Sequence, residues 1–240
     1  MTSTQIMTQL IKWPKDTDYR KNADAASVRA GFPGVIGMLD GSYIPIPGPS
    51  FFRDSYICRK GFPAMHLQGV CDGSLKFIDV YCAYPGSAHD SRVYRNSLLC
   101  QYLEDNPLPE MYHLLGDSAY ALSKSLLVPF RDNGHLTAIE KTFNNAHSST
   151  RVDIERCFGL LKGKFRKLKY LDMKNVREMP EVIITCCVLH NFILTQESFD
   201  ESDIDTEDID AVETEAQSER DPQELKSVSE KRMEIAHLLV

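Results

Sequence analysis

Val35-Ile36-Gly37-Met38-Leu39-Asp40-Gly41-Ser42-Tyr43-Ile44-Pro45-Ile46 is an apolar run of strand length that carries a single carboxylate. Val35, Ile36, Met38 and Leu39 lead into Asp40 without a turn signal, so the spacing predicts a buried strand that ends at Asp40. A carboxylate taken out of water there is costly unless a metal ion, a basic side chain or a backbone nest meets it. The competing reading is a turn cap on Gly41.

Downstream, two strand-length runs from Ala64 to Ala83 flank Asp72-Gly73. That dipeptide suits a two-residue hairpin turn with both central residues at positive φ, so the first three strands are expected to be consecutive and antiparallel. Ser87-x-x-Asp90 predicts a helix start, with Val93, Tyr94 and Leu98 on one face. Met111 to Asp117 repeats the opening theme, a short apolar strand ending in a carboxylate, and Ser123 to Phe130 is expected to be helical. A polar loop is expected through Asn144 to Ser149, and a long helix from Thr150, where Ile154, Cys157, Phe158, Leu161, Phe165 and Leu168 recur at spacings of three and four. A buried helix over Glu181 to Leu194 closes a mixed α/β body. Before the first strand, Asp16 to Ser27 could be helical within an amino-terminal arm, residues 1–32; the body then covers 33–194.

Charge divides the chain unevenly. Residues 195–240 hold 15 acidic and 4 basic side chains, net −11, which leaves 19 acidic and 23 basic, net +4, for positions 1–194. The acidic stretch has too little apolar surface to fold alone and is expected to be a disordered tail, with a short helix possible over Pro222 to Val240. No signal-peptide core opens the chain, and the longest membrane candidate, Val182 to Leu194, is broken by His190 and Asn191, so an intracellular protein is expected. Seven scattered cysteines with no Cys-x-x-Cys pair indicate neither a disulfide framework nor a zinc site.

The chemistry is expected where these elements meet. Two strand-end aspartates, Asp40 and Asp117, and a helical Glu155 can converge to hold a pair of hard divalent cations, which stabilise both the attacking and the leaving oxygen of a phosphodiester displacement. Lys162, Arg166 and Lys169 follow Glu155 at offsets that return to one azimuth of an uninterrupted helix, as a row of DNA-phosphate contacts would. The plainer reading pairs Arg151 with Glu155 along the helix and leaves the lysines to solvate it. His89 and Asp90 could add a ligand, although a first-turn acid explains Asp90 equally well. Cys187-x-x-His190 reads as core, and no phosphate-binding Gly-rich loop or Gly-x-Ser-x-Gly elbow is present.

Five ordered blocks, Gly34 to Ile46, Tyr56 to Phe62, Tyr84 to Ser97, Leu115 to Tyr120 and Arg151 to Phe165, resemble the Harbinger transposases and the nucleases domesticated from them. The resemblance spans roughly Ile11 to Leu194. It implies a ribonuclease H-like fold, an Asp-Asp-Glu triad of Asp40, Asp117 and Glu155, and Mg²⁺- or Mn²⁺-dependent cleavage of DNA in the nucleus, with the cytoplasm a further location. It also implies a separate Myb-like DNA-binding partner and leaves homo-oligomer formation open. Three departures stand out: Tyr43 occupies a position where family members carry His, the family's amino-terminal helical region is expected to be missing, and the acidic tail lies outside the pattern. They suggest an alternative, a domesticated protein that keeps the fold as a nuclear interaction module.

Overall fold

The computed structural model describes residues 10–196 and 222–240. Strands β1 (Val35–Pro45), β2 (Ala64–Cys71) and β3 (Phe77–Pro85) form the expected antiparallel meander. Strands β4 (His113–Leu115) and β5 (Leu126–Leu127) add in parallel on the other side of β1, giving the order β3-β2-β1-β4-β5. With helices on both faces, this is the mixed α/β, ribonuclease H-like arrangement.

Because β1 is central, both of its faces are covered. Val35 and Met38 pack into one apolar cluster and Ile36 and Leu39 into the other, which is why this stretch reads as continuous rather than alternating. The strand does not end at Asp40. It runs on to Pro45, in register from Asp40 opposite Gly69 to Pro45 opposite Ala64, so the carboxylate sits in mid-sheet.

The β2–β3 connection is longer than two residues. The Asp72 carboxylate accepts from Ser74 N at 2.8 Å and Lys76 N at 3.1 Å, and Leu75 rather than Gly73 takes the positive φ, 59°. Gly73 serves a close approach instead: a Cβ there would lie 2.6 Å from Ala26 N in helix α1 (Asp16–Ala30). That helix buries Tyr19, Ala23 and Ala26 against the sheet, so the described part of the amino-terminal arm is integral to the core.

Three helical expectations shift. The helix predicted after Ser87 is two, α2 (Asp90–Arg95) and α3 (Leu98–Asp105), because Ser97 accepts from Cys100 N and caps a new start. Val93 and Tyr94 are buried as expected, whereas Leu98 is left exposed. Ser123 to Phe130 is not helical; Leu126 and Leu127 are drawn into the sheet by Leu114 N donating to Ser125 O and Gly116 N to Leu127 O. Tertiary pairing overrides local preference there. Helix α4 (Ala138–Lys164) begins twelve residues before Thr150, at a capping box in which Thr137 and Glu140 satisfy each other's amides. The polar segment read as a loop lies inside it, since the Asn144 side chain bonds both Phe130 N and Phe130 O at 2.8 Å while Phe143 and His147 are buried.

Helix α5 (Met179–Gln196) belongs to a stretch, Val176–Gln196, apolar and long enough to cross a membrane, contrary to the expectation that none is. Here it packs on β3, with the Asn191 amide bonded to both Phe77 N and Phe77 O and with Cys187 and His190 buried as core. The expected helix near the carboxyl terminus is α6 (Pro222–Leu238), and it is docked rather than solvated. Val228, Ile235 and Ala236 are buried, Lys231 Nζ donates to Tyr112 O and Lys124 O, and Arg232 lies 4.0 Å over the Phe130 ring. The disordered tail expected over 195–240 is corrected to that extent; its acidic run, 197–221, lies outside the described residues.

Candidate metal and catalytic site

Oxygen atoms of Asp40, Asp90 and Asp117 lie within 4.8 Å of one another. The sheet places the first, a helix start the second and a loop start the third. Asp40 Oδ1 accepts from Gly41 N at 2.8 Å, and its Oδ2 accepts from Arg151 Nη2 of α4 at 2.8 Å. Asp117 stands two residues past β4 and accepts from Ala119 N at 2.9 Å. Asp90 opens α2, and its Oδ1 is 2.9 Å from His66 Nε2 of β2. Gly41 makes the convergence sterically possible, because a Cβ there would come within 2.4 Å of Asp90 Oδ1 and 2.6 Å of His66 Nε2.

Burial pushes the Asp40 carboxyl up to about 7; Arg151 opposes that rise, and the charges of Asp117 and Asp90 add to it. Burial also raises Asp90, but the His66 hydrogen bond and the charges of His66, Arg59 and His89 outweigh it and leave Asp90 below the usual carboxylate range. The site thus holds more negative charge than one guanidinium balances. Among the described residues the buried Tyr120 hydroxyl has no hydrogen-bond partner, and it lies within the field of all three aspartates. An all-oxygen donor set, excess negative charge and an orphaned hydroxyl beside it fit a hard divalent cation.

Of the predicted triad, the structure brings Asp40 and Asp117 together, with Asp90 as their third neighbour. Glu155 is outside that close group. It sits one helical turn beyond Arg151, half-buried, where its charge acts on the guanidinium. Arg151 is aimed at Asp40, a role its helical spacing from Glu155 does not reveal.

The row Lys162, Arg166 and Lys169 is not a single helical flank, because α4 ends at Lys164 and a 3₁₀ turn, Arg166–Lys169, follows. Lys162 is buried and donates to Tyr43 O at 3.1 Å, tying α4 to β1, while Arg166 and Lys169 are exposed. The sequence reading passed over His66, Tyr120 and the Asp40 contact of Arg151. The Leu115 to Tyr120 and Arg151 to Phe165 blocks carry a signal for Tyr120 and Arg151, and no motif marks His66.

A family described as DDE superfamily endonuclease matches residues 39–191, which include every residue of this site. The chain is 36% identical to a mouse (Mus musculus) protein named "Putative nuclease HARBI1" over 69% of this chain and 47% of that protein. Its human (Homo sapiens) namesake is 33% identical over 78% and 54%. An Arabidopsis thaliana protein named "Protein ALP1-like" is 29% identical over 78% and 49%. The chain spans about half the length of the curated relatives it matches, and no solved structure matches it. With the family match covering most of the folded body, this chain belongs to the DDE superfamily endonucleases.

Proposed function

We propose that this chain carries the catalytic domain of a metal-dependent DNA endonuclease of the transposase type, acting in the nucleus. The observation that carries the reading is the convergence of Asp40, Asp90 and Asp117 to within 4.8 Å at the heart of a ribonuclease H-like sheet. Asp40 and Asp117 would hold the cation, with Asp90 and Glu155 completing a site for a second. Mg²⁺ or Mn²⁺, when bound, supplies Lewis-acid stabilisation of the phosphate and of the attacking and leaving oxygens. The protein orients the carboxylates: His66 holds Asp90, the Ala119 amide holds Asp117, and Arg151 holds Asp40. Exposed Arg166 and Lys169 suit backbone phosphates, whose contacts carry charge but no sequence information. Sequence reading would then fall to a Myb-like partner.

Plasmid nicking is the direct test. Supercoiled DNA should be nicked with Mg²⁺ or Mn²⁺ and left intact in EDTA. Intact plasmid under all three conditions would favour a fold retained as an interaction module, a reading that the Arg151–Asp40 ion pair also suits.

A further inference from the structure

The loop from Ile46 to Pro63, which follows the strand bearing Asp40, presents two adjacent phenylalanines to solvent. Phe51 is 81% exposed and Phe52 84%. An exposed aromatic pair is unusual on a loop whose backbone is otherwise pinned, by a 3₁₀ turn over Arg53–Tyr56 and a bridge between Ile57 and Pro63. Phe52 also takes φ 57°, a left-handed conformation that a bulky residue rarely adopts. Such strain persists where surrounding structure enforces it, and it clusters at ligand clamps.

Behind the pair lies a cleft of about 900 Å³, lined in part by Phe51, Phe52, Tyr56, Lys174 and Arg177. Exposed Lys174 and Arg177 face the loop from the segment before α5, and Arg53 stands beside the pair. Gly48 gives Arg53 room, since a Cβ there would come 2.8 Å from its Nε. Within the lining, Lys174 and Arg177 face one acid, Asp172. The loop also reaches the acid site through side chains. Arg59 stands over the Tyr43 ring at 5.9 Å, that ring meets His66 at 5.5 Å, and His66 holds Asp90.

We infer that Phe51 and Phe52 form a stacking platform for unpaired bases of the DNA strand, with Arg53, Lys174 and Arg177 holding the adjoining phosphates. Aromatic faces can stack on a base only when it has left the duplex, and every base offers such a face, so the platform selects single-stranded character rather than sequence. Its cations match the polyanion, and Arg59, Tyr43 and His66 connect its loop to Asp90. The inference rests on the DNA reading above and specifies which form of DNA the domain takes.

The test is fluorescence anisotropy in EDTA, so that binding is read without cleavage, using a labelled duplex with a short single-stranded gap and the same duplex fully paired. The parent should prefer the gapped DNA. Phe51→Ala and Phe52→Ala should each weaken gapped binding about tenfold and leave paired binding within about twofold. Phe52→Gly should lose the same affinity without a fall in Tm, because glycine accepts the positive φ, and this separates a lost platform from a damaged fold. Equal parental binding to both DNAs, unchanged gapped binding in the variants, or equal losses on both DNAs would each overturn the proposal. A patch that serves a protein partner gives the second of these outcomes. If the parent keeps its gapped-DNA preference but nicks no plasmid with Mg²⁺ or Mn²⁺, the nuclease reading falls alone.

Discussion

Arg151 donates to Asp40 at 2.8 Å, joining α4 to the central strand across 111 residues of sequence. The guanidinium supplies the positive charge that a carboxylate in mid-sheet requires. It only partly offsets burial and the two neighbouring aspartates, so Asp40 remains an acid whose charged form is held under electrostatic pressure.

Arg151→Met should therefore destabilise the protein in EDTA at pH 8 by about 3 to 5 kcal/mol, because it leaves an uncompensated buried charge. Adding Mg²⁺ or Mn²⁺ should raise Tm more in the variant than in the parent, since the cation replaces the missing charge. Equal metal-induced shifts in the two proteins would show that guanidinium and cation do not act on the same carboxylate.

Asp117→Asn and Asp90→Asn keep shape while removing ligand charge, and each should lower nicking by more than about 100-fold with the far-UV spectrum unchanged. Glu155→Gln should do the same if Glu155 completes the site. Full activity in Asp90→Asn with loss in Glu155→Gln would return the third ligand to the helix. Unimpaired cleavage by Asp117→Asn would end the mechanism.

Acid should destabilise the fold partly through His147, which burial, reinforced by the charge of Arg151, holds far below its usual 6.5, down to about 3. The unfolded imidazole takes a proton below pH 6.5 while the folded one refuses it. Stability from this group is therefore complete above 6.5 and falls toward pH 3 by up to about 1.4 kcal/mol per pH unit. His147→Gln removes that titration, so its Tm measured against pH should be flatter than the parent's over this window. Parallel curves would refute the assignment.

The carboxyl-terminal segment divides into two parts with opposite expected effects. Deleting residues 222–240 should cost more than about 3 kcal/mol in urea unfolding, because Val228, Ile235 and Ala236 leave the core. Replacing the acidic residues of 197–221 with Asn and Gln should leave stability unchanged and strengthen DNA binding, most strongly at low salt. A drop in DNA affinity after that neutralisation would show that the acidic run does not repel DNA.

Asp40 and Asp117 were legible as a site because a carboxylate closing an apolar run is expensive, and that expense is local to the sequence. The same local chemistry marked β1 to β3 and the core face of α4 from Ile154 to Leu161, since burial periodicity needs no knowledge of partners. Long-range pairing decided the rest. Leu126 and Leu127 became a strand because β4 offered an open edge, and Asn144 to Ser149 became helix because the Asn144 amide found the Phe130 backbone. Asp90 joined Asp40 and Asp117 because β2 delivered His66 and Gly41 left the space. Lys162 left the row of phosphate contacts because α4 carried it to Tyr43 O. A sequence displays which side chains are costly to bury; which group meets each of them is set by contacts between residues far apart in the chain, and those exist only once the sheet has closed.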